Sequence, residues 1–397
     1  MEASSSSTAY VAVAACAMTI SFGFLVAAAR RRGERNASAK QPSVSMRPLA
    51  ATPLDLIGNT PLVRIASLSE ATGCTILGKC EFANPGGSSK DRVALAIVRE
   101  AEASGRLKPG GTLVEATAGS TGISLALVAK ACGYKCLLVT PNDTSPEKIR
   151  LIRALGATLE VVKPAGIADP DHPVNIARRR ADELGAGSIF CDQFENLANM
   201  RAHETTTAEE VWAQTRGEID AFVMSAGTGG TIAGVSRVLK ARRPACRVVL
   251  ADPPGSALYY RVRHGVLYTP QQQERTRRRH RYDTIMEGVG IDRITANFAA
   301  AHVDEAIRVE DDASVAMAKH LLAHDGLFVG GSAAMNCVAA VSAARKLGPG
   351  HTIVTVLCDG GQRYLNSVHA DADAAATAAT AEDDHAGDGA CDGGGGR

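Results

Sequence analysis

The sequence has little to offer a nucleic acid. Its formal charge is +1 over 397 residues, and aromatic side chains make up 4% of it. It therefore has neither a basic field to gather phosphates nor a supply of stacking platforms. Zinc-ligand spacing is missing as well. Ten cysteines are scattered along the chain with no Cys-x-x-Cys pair, which excludes the common structural zinc sites. Unpaired, dispersed thiols suit a reducing compartment. Cys132 and Cys136, at what reads as a helix end entering a strand, are taken as packing residues, since a free cysteine behaves as a small hydrophobe. Hydrophobic content of 45% and charged content of 21% are ordinary for a globular protein. The length allows two domains, or one large α/β unit with a substantial core. Composition thus points to a protein that handles small molecules.

Long uncharged runs are also rare, with one exception. Tyr10 to Ala29 carries no charge for twenty residues, enough to cross a bilayer as a helix. Arg30, Arg31 and Arg32 follow at once, and positive charge on that flank predicts that the bulk of the chain stays on the cytosolic side. A secretory signal would carry its charges before the apolar region, and a transit peptide would be amphipathic. The expectation is a membrane anchor and linker over residues 1–50, with an organelle transit peptide as the alternative. At the other end, residues 369–397 are mostly Ala, Asp, Gly and Thr, a composition that predicts a disordered tail. Residues 270–282 form a basic insert with five arginines, read as a solvated loop or as a contact to anionic lipid.

Between these ends, residues 51–368 alternate helical periodicity with short apolar, β-branched runs. Cys136–Thr140, Ala221–Ser225, Val248–Ala251 and Ile353–Leu357 read as strands buried on both faces of a parallel sheet. Arg92–Ser104 and Gly122–Cys132 show helical spacing. The order predicts a doubly wound α/β architecture.

Four segments carry the candidate chemistry. In Asn84-Pro85-Gly86-Gly87-Ser88-Ser89-Lys90-Asp91-Arg92, a lysine stands where a small-residue loop opens a helix. The positive potential of such a terminus can lower an amine pKa, as a nucleophilic lysine needs. The alternative is a plain loop with a solvated lysine. Gly227-Thr228-Gly229-Gly230-Thr231 lies between a strand and a helix, where backbone amides can cup a phosphate. It matches neither the Walker loop nor the dinucleotide fingerprint, which leaves a single phosphate monoester or a tight turn. Thr117-Ala118-Gly119-Ser120-Thr121-Gly122 is either a helix cap or a receptor for a carboxylate. Gly330-Gly331-Ser332-Ala333-Ala334 opens another helix.

Joined by Ile57–Val63, Gln193-Phe194 with Asn196, His203–Thr206 and Glu287–Gly290, these motifs are identified in the order found in fold-type-II pyridoxal-phosphate (PLP) enzymes. The chain resembles that family over roughly residues 52–367, and within it cysteine synthase and cystathionine β-synthase. Membrane-anchored cysteine synthases of the mitochondrial outer membrane are the nearest look-alikes. The resemblance implies two doubly wound α/β domains of the tryptophan synthase β type and pyridoxal 5'-phosphate as cofactor. It implies Lys90 as the lysine that holds the cofactor as a Schiff base and then moves the Cα proton. Gly227, Thr228, Gly229, Gly230 and Thr231 would hold the phosphate, and Ser332 the pyridine nitrogen. Thr117, Ala118, Gly119, Thr121 and Gln193 would take the substrate carboxylate. Ser120, also expected at the cofactor, departs from the pattern, because the family usually has asparagine there.

The expected reaction is replacement at Cβ of O-acetylserine, or a similar activated serine, by sulfide to give L-cysteine. No metal is expected, and a homodimer is implied by the resemblance alone. Serine or threonine deamination, cystathionine formation, and a catalytically weak membrane-tethered scaffold are the alternatives. His320 and His324, four apart but without an intervening glutamate, are read as a helix face. Asp359-Gly360-Gly361 is read as a turn near the rim of the site.

Overall fold

The computed structural model describes residues 49–117, 119–142, 144, 146–269 and 284–370. The expected anchor helix, the basic insert at 270–282, Ala118 and nearly all of the expected tail lie outside the described residues. The chain divides into two units, residues 1–50 and 51–397, and the fold below is that of the second.

Two sheets organise it. The larger has six strands in the order β1-β2-β10-β7-β8-β9. Its strands are β1 (Leu62–Arg64), β2 (Thr75–Cys80), β7 (Ala221–Ser225), β8 (Arg247–Asp252), β9 (Glu305–Arg308) and β10 (Thr352–Leu357). Only the edge pair β1 and β2 is antiparallel, and the other neighbours run parallel. The smaller sheet is parallel throughout, in the order β5-β4-β3-β6. Its strands are β3 (Thr112–Ala116), β4 (Lys135–Pro141), β5 (Thr158–Val162) and β6 (Ile189–Phe190). In the chain they all fall between β2 and β7.

Burial explains why the central strands were legible in advance. All five residues of β3 and all five of β7 are buried, so each reads as a continuous apolar run. Sequence patterning is blind to β1, β6 and β9, which are short and partly exposed. Against the large sheet packs the helix Gly331–Leu347, whose Ala333, Ala334, Ala339, Ala340, Ala343 and Ala344 are buried. Side chains of one carbon bring this helix close to β10 and β7, and the core around them includes Ile353, Leu357 and Val223. The helix Ser120–Cys132 does the same for the small sheet, through Ile123, Leu125 and Val128. It stops at Gly133, whose φ of 76° suits a residue without Cβ.

Helix starts shift slightly from expectation. The helix expected over Gly122–Cys132 begins at Ser120, which places Ser120 and Thr121 in a first turn rather than in the preceding loop. Lys90 is itself the first helical residue of Lys90–Ala103. In an open parallel sheet, ligands bind beyond the carboxyl ends of the strands. Every candidate segment named above follows such an end or opens the helix beyond one.

Candidate active site

Lys90 sits half-buried at the start of its helix. The loop before it is pinned by Asp91, a fully buried residue that accepts from the Gly86 amide and from Ser124 Oγ. A Cβ on Gly86 would fall 2.2 Å from the Asp91 carboxylate, so this position needs glycine. Beyond it, Arg92 anchors the helix in a buried ionic network. It donates to Glu81 at 2.8 Å and to Glu210 at 2.6 Å, while Lys79 reaches Glu210 at 2.6 Å. Burial works to raise the Glu210 pKa, but bonds from Arg92 and Lys79 outweigh it and hold it at about 2. The Lys90 ammonium has no carboxylate partner among the described residues. The residue before it, Ser89, donates its amide to the Cys358 carbonyl at 3.1 Å, which sets the Lys90 loop beside Asp359.

The turn Gly227–Thr231 is built by close approach. A Cβ on Gly227 would meet the Gly288 carbonyl at 2.0 Å, and one on Gly230 would meet Asn199 Oδ1 at 2.0 Å. Gly229 has φ of 83° and backs onto the Phe298 backbone. Glycine at these three positions lets the backbone approach its neighbours at the start of the helix Gly230–Arg242, where main-chain amides can hold an anion. Uncharged neighbours brace the turn. Thr295 Oγ1 donates to the Thr228 carbonyl at 2.7 Å, and Asn199 Nδ2 donates to Thr228 Oγ1 at 2.8 Å. His203 joins Thr231 at 3.1 Å and Thr207 at 2.9 Å through its two ring nitrogens. Burial depresses the His203 pKa well below its ordinary value, which keeps the ring neutral beside the cup.

Across from the cup, Thr121 and Gln193 meet directly. Thr121 Oγ1 donates to Gln193 Oε1 at 2.6 Å, and Gln193 Nε2 donates to the Ala116 carbonyl at 3.4 Å. Asn199 Nδ2 also donates to the Gln193 carbonyl at 2.9 Å, so a single asparagine ties this side to the phosphate side. Gly119 turns the chain, its amide donating to Thr117 Oγ1 at 3.1 Å. Ser120 Oγ accepts from Arg363 Nη1 at 3.0 Å and donates to Asp359 Oδ2 over 3.4 Å. Arg363 also bonds the Gly86 carbonyl, and thereby links the Lys90 loop to the Ser120 loop. Ser332 is buried in the first turn of its helix.

Several of these residues escaped sequence reasoning. Asp359, read as a rim turn, is fully buried, accepts from Tyr364 Oη at 2.6 Å and leaves Oδ1 without a partner. Burial raises its pKa. Asn199, Asn297, Glu115 and Arg363 were not singled out at all. Asn297 is fully buried and holds the carbonyls of Gln193, Phe194 and Asn196. Buried asparagines inside helices are the one signal that could have found two of them, since a buried amide must be satisfied. His320 and His324 stack with ring centroids 4.4 Å apart on their helix, and His320 Nε2 meets Ser67 Oγ at 2.9 Å.

A family model for pyridoxal-phosphate dependent enzymes matches residues 53–359. The chain belongs to that family. A Schizosaccharomyces pombe protein named cysteine synthase 2 is 53% identical over 324 residues, covering 79% of this chain and 82% of the relative. A Saccharomyces cerevisiae protein, provisionally named a mitochondrial cysteine synthase, is 51% identical over 322 residues, with 79% and 82% covered. Among solved structures, an O-ureido-L-serine synthase superposes with a TM-score of 0.71 at 33% identity, covering 83% of this chain and all of that one. The fold is accordingly the α/β fold type II of these enzymes, and pyridoxal phosphate is the cofactor. The residues present fit it. A glycine-rich turn at a helix start suits its phosphate, a lysine amine without a carboxylate partner among the described residues suits its aldehyde, and a neutral Ser332 suits its ring. The free Asp359 oxygen leaves an acceptor for a ligand hydroxyl or amine.

Proposed function

We propose that this protein makes L-cysteine from O-acetylserine, or a similarly activated serine, and sulfide. In that reading Gly227, Thr228, Gly229, Gly230 and Thr231 hold the cofactor phosphate and Ser332 faces its ring nitrogen. A hydroxyl leaves that nitrogen unprotonated, which favours loss and replacement at Cβ over other outcomes. Thr117, Ala118, Gly119, Thr121 and Gln193 bind the substrate carboxylate, with Ser120 beside the cofactor. When bound, pyridoxal phosphate supplies an electron sink for the charge left at Cα. Lys90, the residue to which the cofactor attaches, removes the Cα proton as general base and later returns it. Between these proton movements the Cβ–O bond breaks, acetate departs and a Cβ–S bond forms.

The observation that carries this reading is the Lys90 amine, without a carboxylate partner among the described residues and linked through Arg363 to the Ser120 loop. Identities of about one half to proteins named cysteine synthases support the choice of substrate pair. The test is direct. The purified, cofactor-loaded chain is given O-acetylserine and sulfide, then serine and homocysteine, and the products are separated. L-cysteine from the first pair is the expected result, and cystathionine or a keto acid as the main product would overturn it. We further infer that the uncharged stretch Tyr10–Ala29 anchors the enzyme on the mitochondrial outer membrane, facing the cytosol, and that it works as a homodimer. Among the described residues no helix is long and apolar enough to cross a membrane, so the anchor rests on the sequence. Release of the full chain from mitochondria by alkaline carbonate would overturn the anchor.

A further inference from the structure

Glu115 is the last residue but one of β3, 1% exposed, in the floor beneath the expected carboxylate receptor. Its two oxygens accept from two backbone amides far apart in the chain. Oε1 takes the Ala116 N–H at 2.8 Å, and Oε2 takes the Gln193 N–H at 3.0 Å. These bonds close a ring. Gln193 returns to the Ala116 carbonyl through Nε2 and takes Thr121 Oγ1 on its side-chain oxygen. One carboxyl therefore fixes the distance between the loop that begins at Thr117 and the residue facing it across the sheet.

We propose that Glu115 is a positioning residue for the substrate carboxylate: uncharged, it holds Gln193 and the Thr117–Thr121 loop together, and ionised, it repels the incoming carboxylate. The proposal rests on the amino-acid reading of the site given above. A carboxyl of either charge state can accept both amides, so the ring survives ionisation. What changes is the field, because a buried negative charge acts through a medium of low dielectric and little salt screening.

The surroundings place this change in a usable range. Burial first of all, opposed by the two amide bonds, raises the Glu115 pKa to about 8. The facing groups add no positive charge. They are the thiols of Cys136 on β4 and Cys191 after β6, both raised by burial, and the half-buried Asp192. Asp192 is itself paired at 3.6 Å with the exposed Arg178. Burial thus favours the uncharged form of Glu115 and moves its ionisation up toward neutral pH.

The experiment uses holoenzyme and two ligands that cannot react at Cβ, L-alanine and L-alaninamide, the second lacking the carboxylate. Calorimetric titration at pH 6.5 to 9.5 gives Kd, corrected for each ligand's own amine ionisation, for the native protein and for Glu115→Gln. Each protein is compared with its own Kd at pH 6.5, because the Nε2 of the variant cannot accept the amide that the second carboxyl oxygen takes. Between pH 6.5 and 9.5 the Kd for L-alanine should rise at least threefold more in the native protein than in the variant, and L-alaninamide should show no such divergence. Parallel curves for both ligands would overturn the proposal alone. Absence of L-alanine binding at every pH would overturn the carboxylate-site reading, and this proposal with it. Should the variant not fold, the native protein still decides the matter. Its affinity for L-alanine must fall above pH 8 relative to L-alaninamide, and equal pH dependence would overturn the proposal.

Discussion

Around the phosphate cup, order is kept by glycine and by hydrogen bonds between uncharged groups. Around Gln193 it is kept by a carboxyl that can ionise. The cup's braces, Thr295, Asn199 and a neutral His203, hold the same bonds across the physiological range. Glu115 ties the opposite side with bonds of similar length, yet carries a charge that depends on pH. A cofactor bound for the life of the protein suits the first kind of support. A substrate that enters and leaves can be served by the second. The comparison separates what must stay fixed from what can be tuned.

The most severe way to probe it is to remove the residue both sides serve. Lys90→Ala is expected to lower kcat by at least about 10²–10⁴-fold, the scale of a lost general base, with an unchanged circular dichroism spectrum. Retention of more than trace turnover would sink the Lys90 assignment. Next in size is the buried network behind Lys90. Arg92→Met leaves Glu81 buried without its cation and Glu210 with Lys79 alone, and should cost about 3–5 kcal/mol in urea unfolding. A loss under about 1 kcal/mol would mean that water replaces Arg92 there.

On the cup side, Gly230→Ala puts a methyl group against Asn199 and should cost about 1–3 kcal/mol as overpacking. Its signature would be weaker cofactor retention on dialysis, read from the visible absorption, with no new pH dependence. On the other side, stability itself should depend on pH. A carboxyl at about 8 in the fold, against an ordinary value of 4.5, binds more protons folded than unfolded. Stability should then fall as pH rises from about 4.5 to about 8 and level off beyond. Glu115→Gln should flatten much of that slope in urea midpoints. A slope of the same sign and similar size remains from Asp252, which burial raises to about 7 at the end of β8. An unflattened slope would erase the contrast between the two sides. The smallest effect is expected at Ser120, already bonded to Arg363 and Asp359. Ser120→Asn restores the usual family residue and should change KM for O-acetylserine less than about tenfold, the equivalent of one neutral hydrogen bond.

Much of this arrangement could be read in advance where the chemistry is local. A glycine-rich turn between a strand and a helix announces itself within five residues, because close backbone approach forbids side chains. Lys90 at a helix mouth and Ser332 in a first turn are legible for the same reason. Ser120 was placed at the site by sequence, but its partners Arg363 and Asp359 lie more than two hundred residues away. Glu115 looked like one more residue of a buried strand. Asn199 was not singled out and His203 entered only within a family motif, because their contacts with Thr228 and Thr231 lie across the fold.

The sequence by itself determined the parallel α/β plan and the positions of the turns. Strand burial and glycine geometry are written in runs of a few neighbouring residues. It also carried the family motifs, in the order that the matched family model spans. Only the tertiary structure decided which of the remaining polar residues face one another across the two sheets. It alone placed Glu115 between Ala116 and Gln193 and left one Asp359 oxygen open. Those are matters of long-range packing and desolvation, and a carboxyl's charge depends on what surrounds it in space rather than on what adjoins it in the chain.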